Sequence, residues 1–172
     1  TLNAKAARIQ GVEWDVTVKP IPELTIRASG SYLDARYTDF TYTPPAGYLL
    51  PNGTTHLSGS PFPLPVWQTN ETVSWATGLR SLVVVLMDDL ILTAHYYWQS
   101  RWLANMTGYD PSQRAPGYGM LNIRAEALNL FDRNIDLSLF MNNVANTEAC
   151  LPEYQGVLNS APHSSFGIAN TA

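Results

Sequence analysis

The fold is decided by the stretch Leu121–Asn143, LNIRAEALNLFDRNIDLSLFMNN. It contains two runs in which apolar and polar residues alternate, separated by the polar segment Asp132–Asn134. A period of two places the apolar side chains on one face of a β-strand. Two such runs joined by a short polar turn predict a β-hairpin with one apolar face. The opposite face is unusual because it carries charged residues within the strands: Arg124, Glu126 and Asp136.

A charged face inside a strand has two physical explanations. In a soluble sheet that face meets water, whereas in a transmembrane β-barrel it lines a polar lumen. The same alternation occurs in four earlier segments, which we predict to be antiparallel strands: Arg8–Val18, Leu24–Tyr32, Trp67–Leu79 and Leu90–Trp102.

The connections between these strands are alternately short and long. The short ones are Lys19–Glu23, Arg80–Asp89 and Asp132–Asn134. The long ones are Asp39–Pro65, Asn105–Gly117 and the tail Val144–Ala172, in which we predict no strand. Antiparallel strands place every second connection at the same end. One end therefore has tight turns and the other has long loops, which is typical of a transmembrane β-barrel.

Composition agrees with a membrane environment. Only 14% of the 172 residues are charged, against about 25% in a typical soluble domain. The five Trp and nine Tyr are amphipathic residues that favour the boundary between lipid and water. The longest apolar run, Leu82–Met87, is too short for a transmembrane helix, which needs about 20 residues. A net charge of −4 without a basic tract argues against nucleic acid as a partner.

The alternation also predicts which side chains face which way. One set is expected to face lipid: Trp14, Val16, Ile26, Ala28, Val73, Leu92, Tyr96, Ile123, Leu137 and Leu139. The other set is expected to line the lumen: Glu13, Asp15, Arg27, His95, Gln99, Arg101, Arg124, Glu126 and Asp136.

No pattern of catalytic or metal-binding residues stands out. Glu13 and Asp15 share a strand face, but no apolar pocket is predicted that would separate their pKa values for acid–base work. A solvated lumen wall is the better interpretation of this pair. The three histidines lie far apart without ligand spacing, and neither a nucleophile elbow nor a phosphate-binding loop is present. We therefore expect no enzyme activity, no cofactor and no metal.

Several short motifs resemble, in order and spacing, those of TonB-dependent outer-membrane receptors. Arg8–Glu13 resembles the family's R-x-x-G-x-E strand, and a proline turn follows it. The next strand carries Leu24, Tyr32, Ala35, Tyr37 and Phe40 in the family's arrangement. Three later motifs also resemble the family pattern: Pro65-Val66-Trp67-Gln68, Pro116-Gly117-Tyr118 through Asn122, and Asn142-Asn143-Val144-Ala145-Asn146.

The resemblance implies a barrel of about 22 strands in the outer membrane of a Gram-negative bacterium, in contact with lipid. Such a receptor takes up a siderophore, cobalamin or carbohydrate, driven by TonB through an N-terminal plug domain. Neither the plug nor the final strand has a counterpart in residues 1–172. We therefore expect an internal piece of a longer protein: an all-β antiparallel meander of about six strands, forming an open segment of a large transmembrane β-barrel.

Aromatic and arginine side chains in the long loops are candidates for the ligand site. Aromatic faces stack on sugars or catecholate-type chelates, and arginine attracts an anionic ligand. The predicted ligand-binding residues are Tyr42, Arg101, Trp102, Tyr109 and Arg114. Two alternatives stay open at this point. The aromatics could simply pack the loops together, or the chain could be a soluble antiparallel β-sandwich that binds carbohydrate.

Overall fold

A computed structural model describes residues 6–41, 56–77, 87–103, 114–152 and 166–168. Six strands form one antiparallel sheet in the order β1-β2-β3-β4-β7-β8. Their bounds are Ala6–Ile21 (β1), Leu24–Asp39 (β2), Trp67–Ala76 (β3), Asp89–Gln99 (β4), Tyr118–Leu128 (β7) and Leu137–Met141 (β8). The sheet is open, with β1 and β8 at its edges. The predicted all-β antiparallel meander is confirmed.

Two small ladders accompany the main sheet. The first pairs β5 (Trp102–Leu103) with β6 (Arg114–Ala115) inside the connection between β4 and β7. The second pairs β9 (Cys150–Pro152) with β10 (Phe166–Ile168). The prediction of no strand after Val144 is therefore wrong. Each of these strands has only two or three residues, too few for an alternating pattern to be visible in the sequence.

Strands β3, β4 and β7 are each long enough to cross a membrane. β3 has 10 residues, and β4 and β7 have 11 each. At about 3.3 Å per residue such a strand is roughly 35 Å long. With a tilt of about 40° it spans about 25 Å, which is the height of the apolar band of an outer-membrane barrel.

The pairing register sorts the side chains onto two faces. One row across the sheet pairs Val18 with Ile26, Ile26 with Val73, and Val73 with Ala94. We call the face that carries this row the apolar face. All ten residues that the sequence assigns to lipid lie on it: Trp14, Val16, Ile26, Ala28, Val73, Leu92, Tyr96, Ile123, Leu137 and Leu139.

No second layer covers the apolar face within the described residues. Val16, Trp75 and Leu139 are 50%, 47% and 65% exposed. Apart from Ala127, the few buried residues of the described ranges lie off this face, mostly near the long loops. The hydrophobic side chains of this sheet are thus arranged to meet an apolar environment outside the chain.

Aromatic rings mark the end of the apolar face nearest the long loops. Trp67 lies between two partners, with ring centroids 6.3 Å from Trp14 and 4.7 Å from Tyr32. The Trp14 indole reaches Trp67 by crossing Gly30, where a Cβ would overlap the indole ring. A glycine on β2 is therefore required for this contact. We call Trp14, Tyr32 and Trp67 the aromatic row.

Beyond the aromatic row, β2 continues well past its predicted end at Tyr32. Its outer half pairs with residues 6–11 of β1 on one side, and residues 56–66 fold back along the other side. The Phe62 amide donates to the Ala35 carbonyl (2.9 Å), and the Leu57 amide donates to the Phe40 carbonyl (2.7 Å). The rings of Phe40 and Phe62 contact Tyr37 at 4.7 and 4.3 Å. These side chains and Leu57 form a small core at the base of the first long loop.

Replacing Gly30 by valine should destabilise the folded protein. Valine removes the entropic cost of a strand glycine, about 1 kcal/mol, but overlap with Trp14 costs about 1–3 kcal/mol. We expect a lower urea midpoint and a changed tryptophan emission spectrum. Ser29→Val, on the opposite face of the same strand, is the control. Equal midpoints for both variants would contradict the packing described here.

Candidate functional site

The second face of the sheet, the polar face, carries the predicted lumen residues. Across β1, β2 and β3, the register places Glu13 beside Ser31 and Gln68, and Asp15 beside Ser29 and Asn70. These side chains surround a shallow hollow of about 420 Å³. Both carboxylates are exposed, and their neighbours are short and neutral. The arrangement suits a hydrated wall that can form hydrogen bonds with whatever lies against it.

A charged network occupies the other side of the polar face. The Arg124 guanidinium donates through Nη2 to Glu126 Oε1 (2.7 Å) and to Ser138 Oγ (3.1 Å). The Ser138 hydroxyl also contacts Glu126 Oε1 at 3.3 Å. Because the ion pair is partly exposed, it contributes little to stability. Its effect is to hold both charged groups in fixed positions on the face.

Other residues of the predicted lumen set have partners outside this network. Arg27 donates to Thr17 Oγ1 (3.3 Å), and His95 is paired with Thr72 and Asn122 on the same face. Asp136 precedes β8, and its Oδ1 accepts a hydrogen bond from the Asn129 amide (2.9 Å). That the polar face lines a lumen stays a prediction.

The β7–β8 turn is longer than the predicted Asp132–Asn134. It includes a 3-10 turn at Leu130–Asp132 and several non-glycine residues with positive φ, among them Asn129 and Asn134. Asn129 holds it together, because its Oδ1 accepts from the Asn134 amide and its Nδ2 donates to Asp88 Oδ2, each at 2.8 Å. The last contact joins this turn to the neighbouring β3–β4 connection.

At the long-loop end, a hydrogen-bonded cluster fixes the start of the β4–β7 connection. Gln99 is only 6% exposed, and its Oε1 accepts from the Tyr97 hydroxyl (2.6 Å). Ser100 Oγ accepts from the Val66 and Trp67 amides, both at 3.1 Å. The chain therefore leaves the sheet at a defined point, immediately before Arg101.

Three of the five predicted ligand-binding residues, Arg101, Trp102 and Arg114, lie in or next to a short ladder beyond this point. Trp102 pairs with Ala115, and Leu103 pairs with Arg114 across the β5–β6 ladder. Arg101 is exposed and Trp102 is half-buried. Tyr42 and Tyr109 lie outside the described residues. A role in binding stays a prediction for all five: Tyr42, Arg101, Trp102, Tyr109 and Arg114.

One ionisable residue on the apolar face was not singled out by sequence reasoning. Glu71 pairs with Ala28 on one side and Tyr96 on the other. Its Oε2 is buried and makes no hydrogen bond within the described residues. Glu71 has the same parity along the strand as Trp67 and Val73, so the alternation alone could have placed it on the apolar face.

The described ranges contain no cluster of three or more His, Cys, Asp or Glu side chains that could hold a metal ion. No helix among them is long and apolar enough to cross a membrane.

Strand length, an uncovered apolar face, an aromatic row and a polar opposite face together define a segment of a transmembrane β-barrel. The family model described as TonB dependent receptor-like, beta-barrel, matches residues 1–144. The chain therefore belongs to the TonB-dependent receptor family, and the predicted resemblance is confirmed. This is a family of receptors and transporters rather than of enzymes.

Two solved structures share the fold. The siderophore receptor PiuA from Acinetobacter baumannii aligns with a TM-score of 0.63 and 17% identity over 84% of this chain. BauA, the ferric preacinetobactin receptor from the same organism, aligns with a TM-score of 0.60 and 16% identity over 94% of this chain. The chain spans only 18% and 20% of these two receptors. No curated protein matches its sequence.

A pair of arginine substitutions tests which face meets lipid. Ala94 and His95 are neighbours in the middle of β4 but lie on the apolar and polar faces respectively. In the full-length receptor, Ala94→Arg should cost about 2–4 kcal/mol of folding free energy in vesicles, and His95→Arg about 1 kcal/mol or less. Urea titration in phospholipid vesicles measures both. Equal costs for the two variants, or a larger cost for His95→Arg, would contradict the assignment of the faces.

Proposed function

We propose that this chain forms part of the wall and the external loops of a receptor that takes up a siderophore across the outer membrane of a Gram-negative bacterium. The observation that carries the proposal is the single-layer sheet, whose apolar face stays uncovered over a height of about 25 Å. A sheet of this kind is stable only where lipid covers it. The opposite face supplies a continuous polar wall along which a ligand or a plug domain can lie.

The siderophore is preferred over cobalamin and carbohydrate as the substrate. PiuA is a siderophore receptor, and BauA is the receptor for ferric preacinetobactin. The chemistry of the long-loop end agrees with this choice. Arg101 is exposed, and Trp102, the next residue in the chain, is half-buried. A cation and an aromatic ring at the same end of the sheet suit an anionic chelate with aromatic groups. Arg114 belongs to β6, which pairs with β5 at the same end of the sheet.

Energy for uptake would come from TonB acting on a plug domain outside residues 1–172. The polar face offers the plug a surface with charges of both signs. Glu13 and Asp15 lie towards β1, and the Arg124–Glu126 pair lies towards β8. Exposed polar groups of this kind form hydrogen bonds that exchange readily with water, which suits a plug that moves during transport.

The alternative of a soluble carbohydrate-binding sandwich receives no support. A sandwich requires a second sheet packed about 10 Å from the first, and in the described part of the chain none covers the apolar face. The two short ladders, with two or three residues per strand, are too small to fill that place.

Two substitutions in the full-length receptor test the ligand site. Trp102→Ala and Arg101→Ala should each weaken binding of the cognate ferric siderophore about fivefold to tenfold, because each removes a contact of about 1 kcal/mol. Fluorescence titration measures binding, and heat-modifiable migration on gels reports barrel assembly. Arg133→Ala, at the opposite end of the sheet, is the matched control. Wild-type binding and uptake in both test variants would remove this loop from the site.

The isolated chain tests the barrel against the soluble alternative. Its edge strands β1 and β8 each lack one neighbour, and unpaired edges with exposed apolar side chains associate with other chains. Residues 1–172 expressed alone should therefore aggregate or require detergent. Size-exclusion chromatography with light scattering measures this, and a monodisperse detergent-free monomer with a cooperative melt would favour the soluble module.

A further inference from the structure

The apolar face changes character abruptly just beyond the aromatic row. On β1 the residues of this face run outward from Trp14 and Val12 to Gln10 and Arg8. On β2 they run from Tyr32 to Asp34 and Arg36. One step along a face is two residues, about 7 Å. A charged patch therefore begins at the height where a bilayer gives way to its headgroups. We call Arg8, Gln10, Asp34 and Arg36 the outer polar patch.

Two arginines in this patch stand directly opposite each other. The register pairs Arg8 with Arg36 and Gln10 with Asp34. Arg8 donates through Nε (3.1 Å) and Nη2 (2.6 Å) to Gln10 Oε1, and Arg36 donates through Nε to Asp34 Oδ1 (2.7 Å). Like charges opposite each other across two strands are unfavourable, and Asp34 compensates only one of them.

The charge state of the patch follows from these contacts. The hydrogen bond from Arg36 lowers the pKa of Asp34 below its usual value, and burial opposes this only in part. Asp34 is therefore ionised at neutral pH, and the patch carries two positive charges and one negative charge. Its side chains are partly exposed, Arg36 by 58% and Asp34 by 29%. Arg8, Asp34 and Arg36 border an open hollow of about 310 Å³, large enough for a phosphate group.

We propose that Arg8 and Arg36 bind the phosphate of a lipid headgroup in the outer leaflet. Guanidinium groups present parallel N–H donors that match phosphate oxygens, and a phosphate between the two arginines would neutralise the excess positive charge. The acyl chains of the same lipid would then lie against the aromatic row and the apolar face below it. A soluble phosphate ester fits the guanidinium groups equally well but makes no use of that adjoining apolar surface.

The inference rests on the membrane orientation in the proposed function, and its test uses the full-length receptor in detergent. Native mass spectrometry would compare retention of dioleoyl phosphatidic acid with that of dioleoyl phosphatidylcholine. The test variant is Arg8→Gln/Arg36→Gln. The control is Arg133→Gln, an exposed arginine at the turn end of the sheet.

The wild type and the control should retain phosphatidic acid in preference to phosphatidylcholine. The double variant should bind phosphatidic acid about tenfold more weakly, which corresponds to a loss of about 1.4 kcal/mol. Unchanged retention in the double variant would overturn the proposal. Complete displacement of the lipid by equimolar inorganic phosphate would also overturn it, because the patch would then be a site for free phosphate.

The two proposals can fail separately. If Ala94→Arg costs no more folding free energy than His95→Arg, the assignment of the faces is wrong, and the uptake barrel and the lipid site both fail. If those variants behave as expected and siderophore binding is normal, loss of lipid selectivity in the wild type overturns only the headgroup site.

Discussion

The structure depends on one constraint. The sheet has a single layer, so each strand has to present an apolar face on one side and a polar face on the other. Backbone polar groups within the ladders are paired with neighbouring strands, so the side chains decide what each face can contact. The strict period of two in β1, β2, β4 and β7 meets this requirement. Apolar rows lie on one face, while serine, threonine, asparagine and charged residues occupy the polar face.

Glycine has a specific place in this arrangement. Trp14 crosses Gly30 to reach Trp67, and the Tyr96 hydroxyl lies over Gly119 in the same way. In both cases a large ring covers the backbone of the adjacent strand. Strand glycine is normally destabilising, but here it lets amphipathic rings lie flat and close to the sheet. The rings then supply the lateral packing that a second layer of protein provides in a soluble fold.

Much of this architecture could be predicted from the sequence because the period of two is a local signal. It gave the six main strands, the two faces and the end that carries long loops. Strand ends were harder, since the outer half of β2 pairs with β1 on one side and with residues 56–66 on the other, and the second contact is not local. The same reason explains why the core around Tyr37 and Leu57 was missed. Short ladders such as β9 with β10, and the left-handed residues around Asn129, leave no periodic pattern at all.

The sequence predicted the types of residue in the candidate site but not their arrangement in space. The types of residue suggested a ligand site in the long loops, and the structure brings Arg101, Trp102 and the backbone of Arg114 to one short ladder. Their approach depends on Gly117, where a Cβ would come within 2.9 Å of the Arg101 amide nitrogen and 2.8 Å of the Gln99 carbonyl oxygen. No single segment of sequence contains this relationship, because it joins the two ends of a long connection.

The two ends of the sheet therefore have different tasks. At the turn end, Asn129 joins the β7–β8 turn to Asp88, immediately before β4. At the long-loop end, the Ser100 contacts with Val66 and Trp67 fix where one loop leaves the sheet. Strand register is therefore set by contacts that do not involve the loop beyond Leu103. The aromatic row belongs to the hydrogen-bonded strands β1, β2 and β3, so its position depends on the register of the sheet and not on the loops.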